Sequence, residues 1–310
     1  MDPLGGTELQ HNFLKKFVPA DLLDKFQICT SVPLKIPLHS NKINVLWQKN
    51  SWDQPNIEPW FKNVNNHDKY DYYVFNSHWN YERFRMCFDI PTHKCAVIKN
   101  GIPNMHLKDL DKRTTKTRLI FTPTPWRGLN VLLAAMQLVK NKNIELDVYS
   151  STHIYGSQFK SSNDSNYTQL YEQAKSLPNV NYIGYKPHEY ILEHLHEYDA
   201  FVYPNIWEET FCISALEALA TGLYTIVTDL GALSETCAEF PVYVPFEKNY
   251  ELLAQQFAYA IEMIPEHLQK AGSKQHLQFQ QKYFNYFYNW ERIAPNWITF
   301  LQGALNARSK

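Results

Sequence analysis

No run of this chain is apolar for the roughly 20 residues that a helix needs to cross a bilayer. No signal-peptide pattern opens it. Charge of neither sign is in excess: 30 Lys and Arg stand against 31 Asp and Glu, a formal net charge of −1. Such a balance projects no global field to gather nucleic acid or an acidic membrane surface. Cysteine is sparse. Cys29, Cys87, Cys95, Cys212 and Cys237 are scattered, odd in number and outside any Cys/His metal spacing. Free thiols in a reducing, cytoplasmic compartment are the expectation, with no bound metal. Low-complexity tracts and internal repeats are missing too.

What is present fits a globular protein: 45% hydrophobic residues in a length of 310, enough for two domains with a core each. Aromatics reach 15%. With the frequent Asn and Lys, they match the coding bias of an AT-rich genome, a viral one included.

Short β-rich runs alternate with helical patterns, which argues for α/β layers around parallel sheets. Strands are expected at Ile43–Trp47, Tyr72–Asn76, Cys95–Ile98, Arg118–Thr122, Glu145–Tyr149, Val180–Ile183, Ala200–Tyr203, Tyr224–Thr228 and Val242–Val244. Helices are expected at Glu8–Phe17, Trp79–Phe88, Leu129–Lys140, Tyr167–Leu177, His188–His196, Ile213–Thr221 and Tyr250–Met263. The polar run Asp109–Thr117 reads as a linker. Asn289–Leu305 reads as an amphipathic helix kinked by Pro295.

The most informative segment is Trp207-Glu208-Glu209-Thr210-Phe211-Cys212-Ile213-Ser214-Ala215-Leu216-Glu217-Ala218-Leu219-Ala220-Thr221-Gly222. Glu209 lies on the approach to a short apolar helix that Gly222 ends, and Glu217 projects from within it. The backbone N–H groups of Phe211, Cys212 and Ile213 fall at the helix N-terminus. Unsatisfied donors and the positive end of the helix dipole make that a place for an anion. Carboxylates on either side of an anion site suit a ligand with hydroxyls at both ends and phosphate between, the shape of a nucleotide-sugar.

This segment resembles the E-x7-E signature of retaining glycosyltransferases of family 4, usually written Glu-Gly-Phe-Gly-Leu-x-x-x-Glu-Ala. Glu209, Phe211, Glu217 and Ala218 match; Thr210 and Cys212 stand for the two glycines and Ile213 for the leucine. The resemblance implies that Glu209 contacts the donor sugar and Glu217 the ribose. It implies a place for other motifs as well. Gly5-Gly6-Thr7-Glu8 is similar to the family's Gly-Gly loop, which faces the donor diphosphate and the acceptor, but no strand precedes it here, so the first domain is expected to be shortened. Arg127-Gly128 matches the Lys-Gly step that neutralises the diphosphate, while the family's earlier arginine has no match. Gly231 to Glu235 matches a Gly-Gly-x-x-Glu loop under the donor pocket. Asn181–Pro187, with Tyr185, matches the segment beside the nucleobase. Lys49, or its neighbour Gln48, stands where many members carry a histidine near the anomeric carbon. Ser77-His78-Trp79 is similar to a Ser-x-Trp step, and His78 is expected to face solvent at a helix start.

The resemblance implies a GT-B fold, two Rossmann-like domains facing across a cleft. The expected bounds are 1–112 for the acceptor-side domain, 113–288 for the nucleotide-sugar domain, and 289–310 for a helix crossing back to the first. The implied activity is metal-independent transfer of a hexose from a UDP- or GDP-sugar, with retention, to a hydroxyl of a glycan or other acceptor. Glu209, Arg127 and Lys49 would be catalytic. Gly5, Gly6, Arg127, Tyr185, Glu209, Thr210, Phe211, Cys212, Ile213 and Glu217 would bind the donor, the only small molecule required. No carboxylate pair is placed for a double displacement, so a front-side substitution is expected. Two alternatives stay open at this point: a degenerate protein that binds nucleotide-sugars without catalysis, and a transferase acting on a hydroxylated base in nucleic acid, which the charge balance disfavours.

Overall fold

Runs rich in β-branched and aromatic residues become strands in the computed structural model, which describes residues 5–112 and 115–308, without the side chains of Tyr155 and Ser157. The chain divides into two compact units. One consists of Gly6–Pro103, Glu209–Cys212 and Tyr286–Lys310; the other is built mainly of Asn104–Glu208 and Ile213–Asn285.

The first unit holds a parallel sheet of β1 (Phe26–Thr30), β2 (Ile43–Gln48), β3 (Tyr72–Phe75) and β4 (Cys95–Val97), side by side in that order. All six residues of β2 are buried, as a strand covered on both faces requires. Its side chains alternate between two cores. Val45 and Trp47 join Leu14, Val74, Trp290, Trp297 and Leu301 on one side. Leu46 joins Phe61, Tyr73, Phe75 and Phe84 on the other. The helices Gly6–Phe17 and Trp290–Arg308 supply the first core, where the ring of Trp290 stacks on Phe13 and Phe17 at 5.9 and 6.2 Å. The last helix continues through Pro295, in its second turn, with Trp297, two residues on, fully buried.

The second unit holds β5 (Thr117–Phe121), β6 (Ile144–Val148), β7 (Val180–Tyr182), β8 (Ala200–Tyr203), β9 (Tyr224–Asp229) and β10 (Val242–Pro245). All six are parallel, in the order β10-β9-β8-β5-β6-β7. That is the doubly wound order of a Rossmann sheet, which reverses direction between its first and fourth strands in sequence.

The unit boundary falls at Pro103–Asn104, ahead of the polar run expected to be the linker. Lys108 explains the shift. Its backbone N–H donates to Thr221 O at 2.9 Å, and its ammonium pairs with Asp199 at 3.0 Å, so the residue just ahead of the run is anchored in the second unit. The strand Phe26–Thr30 and the helix Ser273–Tyr288 were not expected from sequence. The remaining strands and longer helices form within a few residues of their expected bounds. Among the described residues no helix is long and apolar enough to cross a membrane, and none of the five cysteines is in a disulfide.

Candidate functional site

Ligands of open α/β sheets bind beyond the carboxyl ends of the strands, where the order reverses. Here that point lies between β5 and β8. β5 runs out into Thr122–Gly128 and β8 into Pro204–Glu208, so the Arg127 turn and the approach to the signature leave the sheet side by side. Pro125–Arg127 forms a single 3₁₀ turn, closed by a bond from Arg127 N to Thr124 O at 3.1 Å. Gly128 then takes φ +115° and starts the helix Leu129–Leu138. Arg127 is half-buried. The Thr124 hydroxyl beside it is enclosed without a hydrogen-bond partner.

Glycine is required at 128 for two reasons. Its φ is one that L side chains rarely adopt, and an added Cβ would lie 2.0 Å from Pro204 O, a backbone atom with nowhere to go. Gly128→Ala is therefore expected to destabilise the protein by on the order of 3–5 kcal/mol. Denaturant unfolding checks this; a loss under about 1 kcal/mol would mean that the two loops separate easily.

The helix Ile213–Thr221 forms as its sequence suggests, and Gly222 ends it at φ +98°. Its last carbonyls are taken by bonds from Gly222 N and Leu223 N to Ala218 O, at 3.1 and 3.0 Å, and from Gln281 Nε2 to Thr221 O at 2.7 Å. Glu217 is 4% exposed on this helix. Its Oε1 accepts a bond of 2.7 Å from Nε2 of His188, the first residue of the helix His188–His194. Sequence reasoning missed His188, because a polar residue at a helix start carries no periodic signal. Burial opposes a charge on this imidazole, but the Glu217 carboxylate outweighs it, and His188 titrates above its ordinary value.

That shift has a defined sign. A folded-state pKa above the unfolded one, which is about 6.5, stabilises the fold fully below the unfolded value and loses the increment as pH rises through the folded value. His188→Gln should accordingly melt below wild type at about pH 6 and approach it at about pH 9. A gap that stays constant across that range would show that the pair is not ionised in the native protein.

At the ends of β6 and β7 the ring of Tyr185 meets His153 edge-on, with centroids 4.5 Å apart. Gly184, at φ +75°, turns the chain there, and the N–H groups of Ile183 and Gly184 both donate to Val148 O, at 2.9 and 3.1 Å. Burial pushes the Tyr185 phenol up. Arg127, Tyr185, His188, Ile213 and Glu217 thus belong to the six-stranded unit, four of them on loops or helix starts beyond the strands' carboxyl ends.

Gly6, Lys49 and Glu209–Cys212 belong to the four-stranded unit. Gly6 is the exposed first residue of its helix, while Gly5 before it is buried. Lys49 follows β2. It is 9% exposed, lies 3.4 Å from the centroid of the Trp47 ring, and donates to Thr7 O at 3.3 Å. Burial pushes its ammonium well below the ordinary lysine value, against the pull of Glu8. Gln48, the other candidate at this strand end, is fully enclosed. His78 is exposed at the start of its helix, as expected.

The signature loop is held by this unit's strand ends. Thr210 Oγ1 donates to Lys49 O at 2.7 Å and accepts from Asn76 Nδ2 at 3.1 Å. Ser77 Oγ donates to Thr210 O at 2.6 Å. Glu209 is 4% exposed, Cys212 3%, and Phe211 packs its ring 6.3 Å from Tyr288.

The family model for glycosyl transferases group 1 matches residues 109–275, more than half of the chain. The chain belongs to that family. The activity that goes with it is sugar transfer from a nucleotide-sugar. No curated protein is significantly similar in sequence. Solved structures are similar in fold at low identity. Sucrose-phosphate synthase from Thermosynechococcus elongatus aligns with a TM-score of 0.72 at 16% identity, over 97% of this chain and 79% of that one. A glycosyltransferase from Rickettsia africae aligns with a TM-score of 0.67 at 15% identity, over 96% and 82%. Anabaena HepE, solved with UDP and glucose, aligns with a TM-score of 0.66 at 15% identity, over 84% and 72%. The glycosyltransferase has the GT-B fold that its E-x7-E segment implied.

Proposed function

We propose that this glycosyltransferase moves a hexose from a UDP- or GDP-sugar to a hydroxyl of a glycan or other acceptor, with retention at the anomeric carbon. The observation that carries the proposal is the strand-order reversal between β5 and β8, which places the Arg127 turn beside the segment leading into the E-x7-E signature. Arg127 holds the diphosphate, since guanidinium binds two phosphate oxygens at once. Backbone N–H groups from Thr210 to Ile213 assist it, as donors at the helix start. Glu217 accepts the ribose hydroxyls through the oxygens that His188 leaves open, and Tyr185 lies beside the base. Gly5 and Gly6 let phosphate approach the backbone.

Glu209 takes the hydroxyls of the sugar, and Lys49 offers its amine to the reacting centre. Chemistry then follows a front-side path: the acceptor oxygen bonds to the anomeric carbon as the bond to phosphate breaks, and the leaving phosphate oxygen takes the acceptor's proton. The protein's share is positioning and stabilising charge on the departing diphosphate.

A thermal-shift screen of UDP, GDP, ADP and their sugars tests the donor class, because ligands of the native state raise Tm by mass action. One nucleoside diphosphate should stabilise strongly; no shift with any would refute the proposal. Glu217→Gln is expected to weaken binding of that nucleotide by about 1.5–3 kcal/mol, the worth of bonds to a charged acceptor. Unchanged affinity, measured by calorimetry, would remove Glu217 from the ribose.

A further inference from the structure

Thr210 stands where the family signature has a glycine, and a glycine could make none of its side chain's bonds. The hydroxyl is 9% exposed with its residue, gives its one proton to Lys49 O, and accepts from Asn76 Nδ2. The network goes further. Asn76 Oδ1 accepts from Asn80 Nδ2 at 3.1 Å, and Ser77 Oγ accepts from Asn80 N at 3.0 Å while donating to Thr210 O. Asn76 is 2% exposed, and Ser77 and Asn80 not at all. Ser77 is the N-cap of the helix His78–Phe88, so one hydroxyl both starts that helix and grips the signature loop. Three bonds therefore join Thr210 to the residues that follow β2 and β3, all in one buried cluster. Neither Glu217 nor His188 takes part in it.

We propose that Thr210 is a positioning residue: its side chain fixes Glu209, the residue before it, and the backbone of Lys49 in one geometry, so that turnover depends on it far more than nucleotide binding does. This rests on the transferase function proposed above. Buried bonds of this kind hold two segments more rigidly than packing alone, and removing the hydroxyl leaves Asn76 Nδ2 and Lys49 O short of partners. A shift of about 1 Å between reacting groups commonly costs on the order of 10²-fold in rate.

The experiment compares Thr210→Val, which keeps the shape and deletes the hydroxyl, with Thr210→Ser, which keeps the hydroxyl. Each is measured for UDP affinity, for release of UDP from UDP-glucose (or GDP from GDP-mannose, if GDP is the nucleotide that stabilises wild type), and for amide exchange across 209–212. The valine variant should lose on the order of 10²-fold in kcat with a far smaller loss of nucleotide affinity, and its loop amides should exchange faster. The serine variant should restore both. Should valine prevent folding, Thr210→Gly replaces it with the same expectation. Wild-type kcat in the valine variant, a nucleotide affinity that falls in step with kcat, or unchanged loop exchange would each overturn the proposal. A wild type that binds nucleotide and turns over neither sugar would instead defeat the transferase function, and loop exchange would still decide whether Thr210 holds the loop.

Discussion

Glu209→Ala is expected to abolish sugar transfer while leaving nucleoside diphosphate binding at the wild-type level. Glu209 precedes the helix whose Glu217 is assigned to the ribose, and it belongs to the segment held by Asn76, Ser77 and Lys49. A buried carboxylate next to sugar hydroxyls has two uses. It accepts their hydrogen bonds, and its charge favours the positive character that grows on the anomeric carbon as phosphate departs. The second effect exists only in the transition state, so it appears in kcat and not in nucleotide affinity. Losing one such group costs on the order of 10²–10³-fold in rate. Steady-state turnover with each donor that stabilises the protein, alongside calorimetric titration of the nucleotide, checks both halves. Near-wild-type turnover with any donor would dismiss the assignment.

Arg127→Ala should also lower kcat steeply, and further than Arg127→Lys. If Arg127 holds the diphosphate as proposed, the lack of a match to the family's second basic residue leaves it with more of the charge to balance. It sits on a turn fixed from both ends, by the Thr124 carbonyl and by Gly128 packed against Pro204. Lysine keeps the charge and loses the bidentate geometry; alanine loses both, at a cost on the order of 10²–10³-fold. Nucleoside monophosphate affinity should change little, since the monophosphate lacks the outer group. Equal losses for mono- and diphosphate would place Arg127 away from the pyrophosphate.

The parts of the fold that were legible in the sequence are those that local chemistry decides. Ile213–Thr221 is apolar and stopped by Gly222, and it forms with the expected bounds. Most of the strands read correctly because buried parallel strands are continuous apolar runs. Phe26–Thr30 escaped notice because it is a five-residue edge strand with polar Gln27 and Thr30. The helix Ser273–Tyr288 was missed for a different reason. Its buried face interrupts the apolar Leu277, Phe284 and Tyr288 with Gln280 and Gln281, and polar side chains tie it to the signature helix: Gln280 to Leu219 O at 2.9 Å, Gln281 to Thr221 O at 2.7 Å, Asn285 to Ala220 O at 2.7 Å. Amide side chains satisfying a helix's last carbonyls leave no trace in periodicity. The same limit hid His188, 29 positions from Glu217 along the chain, and the bonds of Thr210, whose partners lie 134 and 161 positions away.

The central claim is retaining transfer from a nucleoside diphosphate-sugar, and proton NMR of the reaction as it proceeds tests it most directly. Purified enzyme is mixed with the α-linked UDP- or GDP-sugar that stabilises it, and the anomeric signal of the first product is read before mutarotation. The account predicts consumption of the donor and a product with the α configuration. A β product, or a donor left intact although its nucleotide binds, would contradict it.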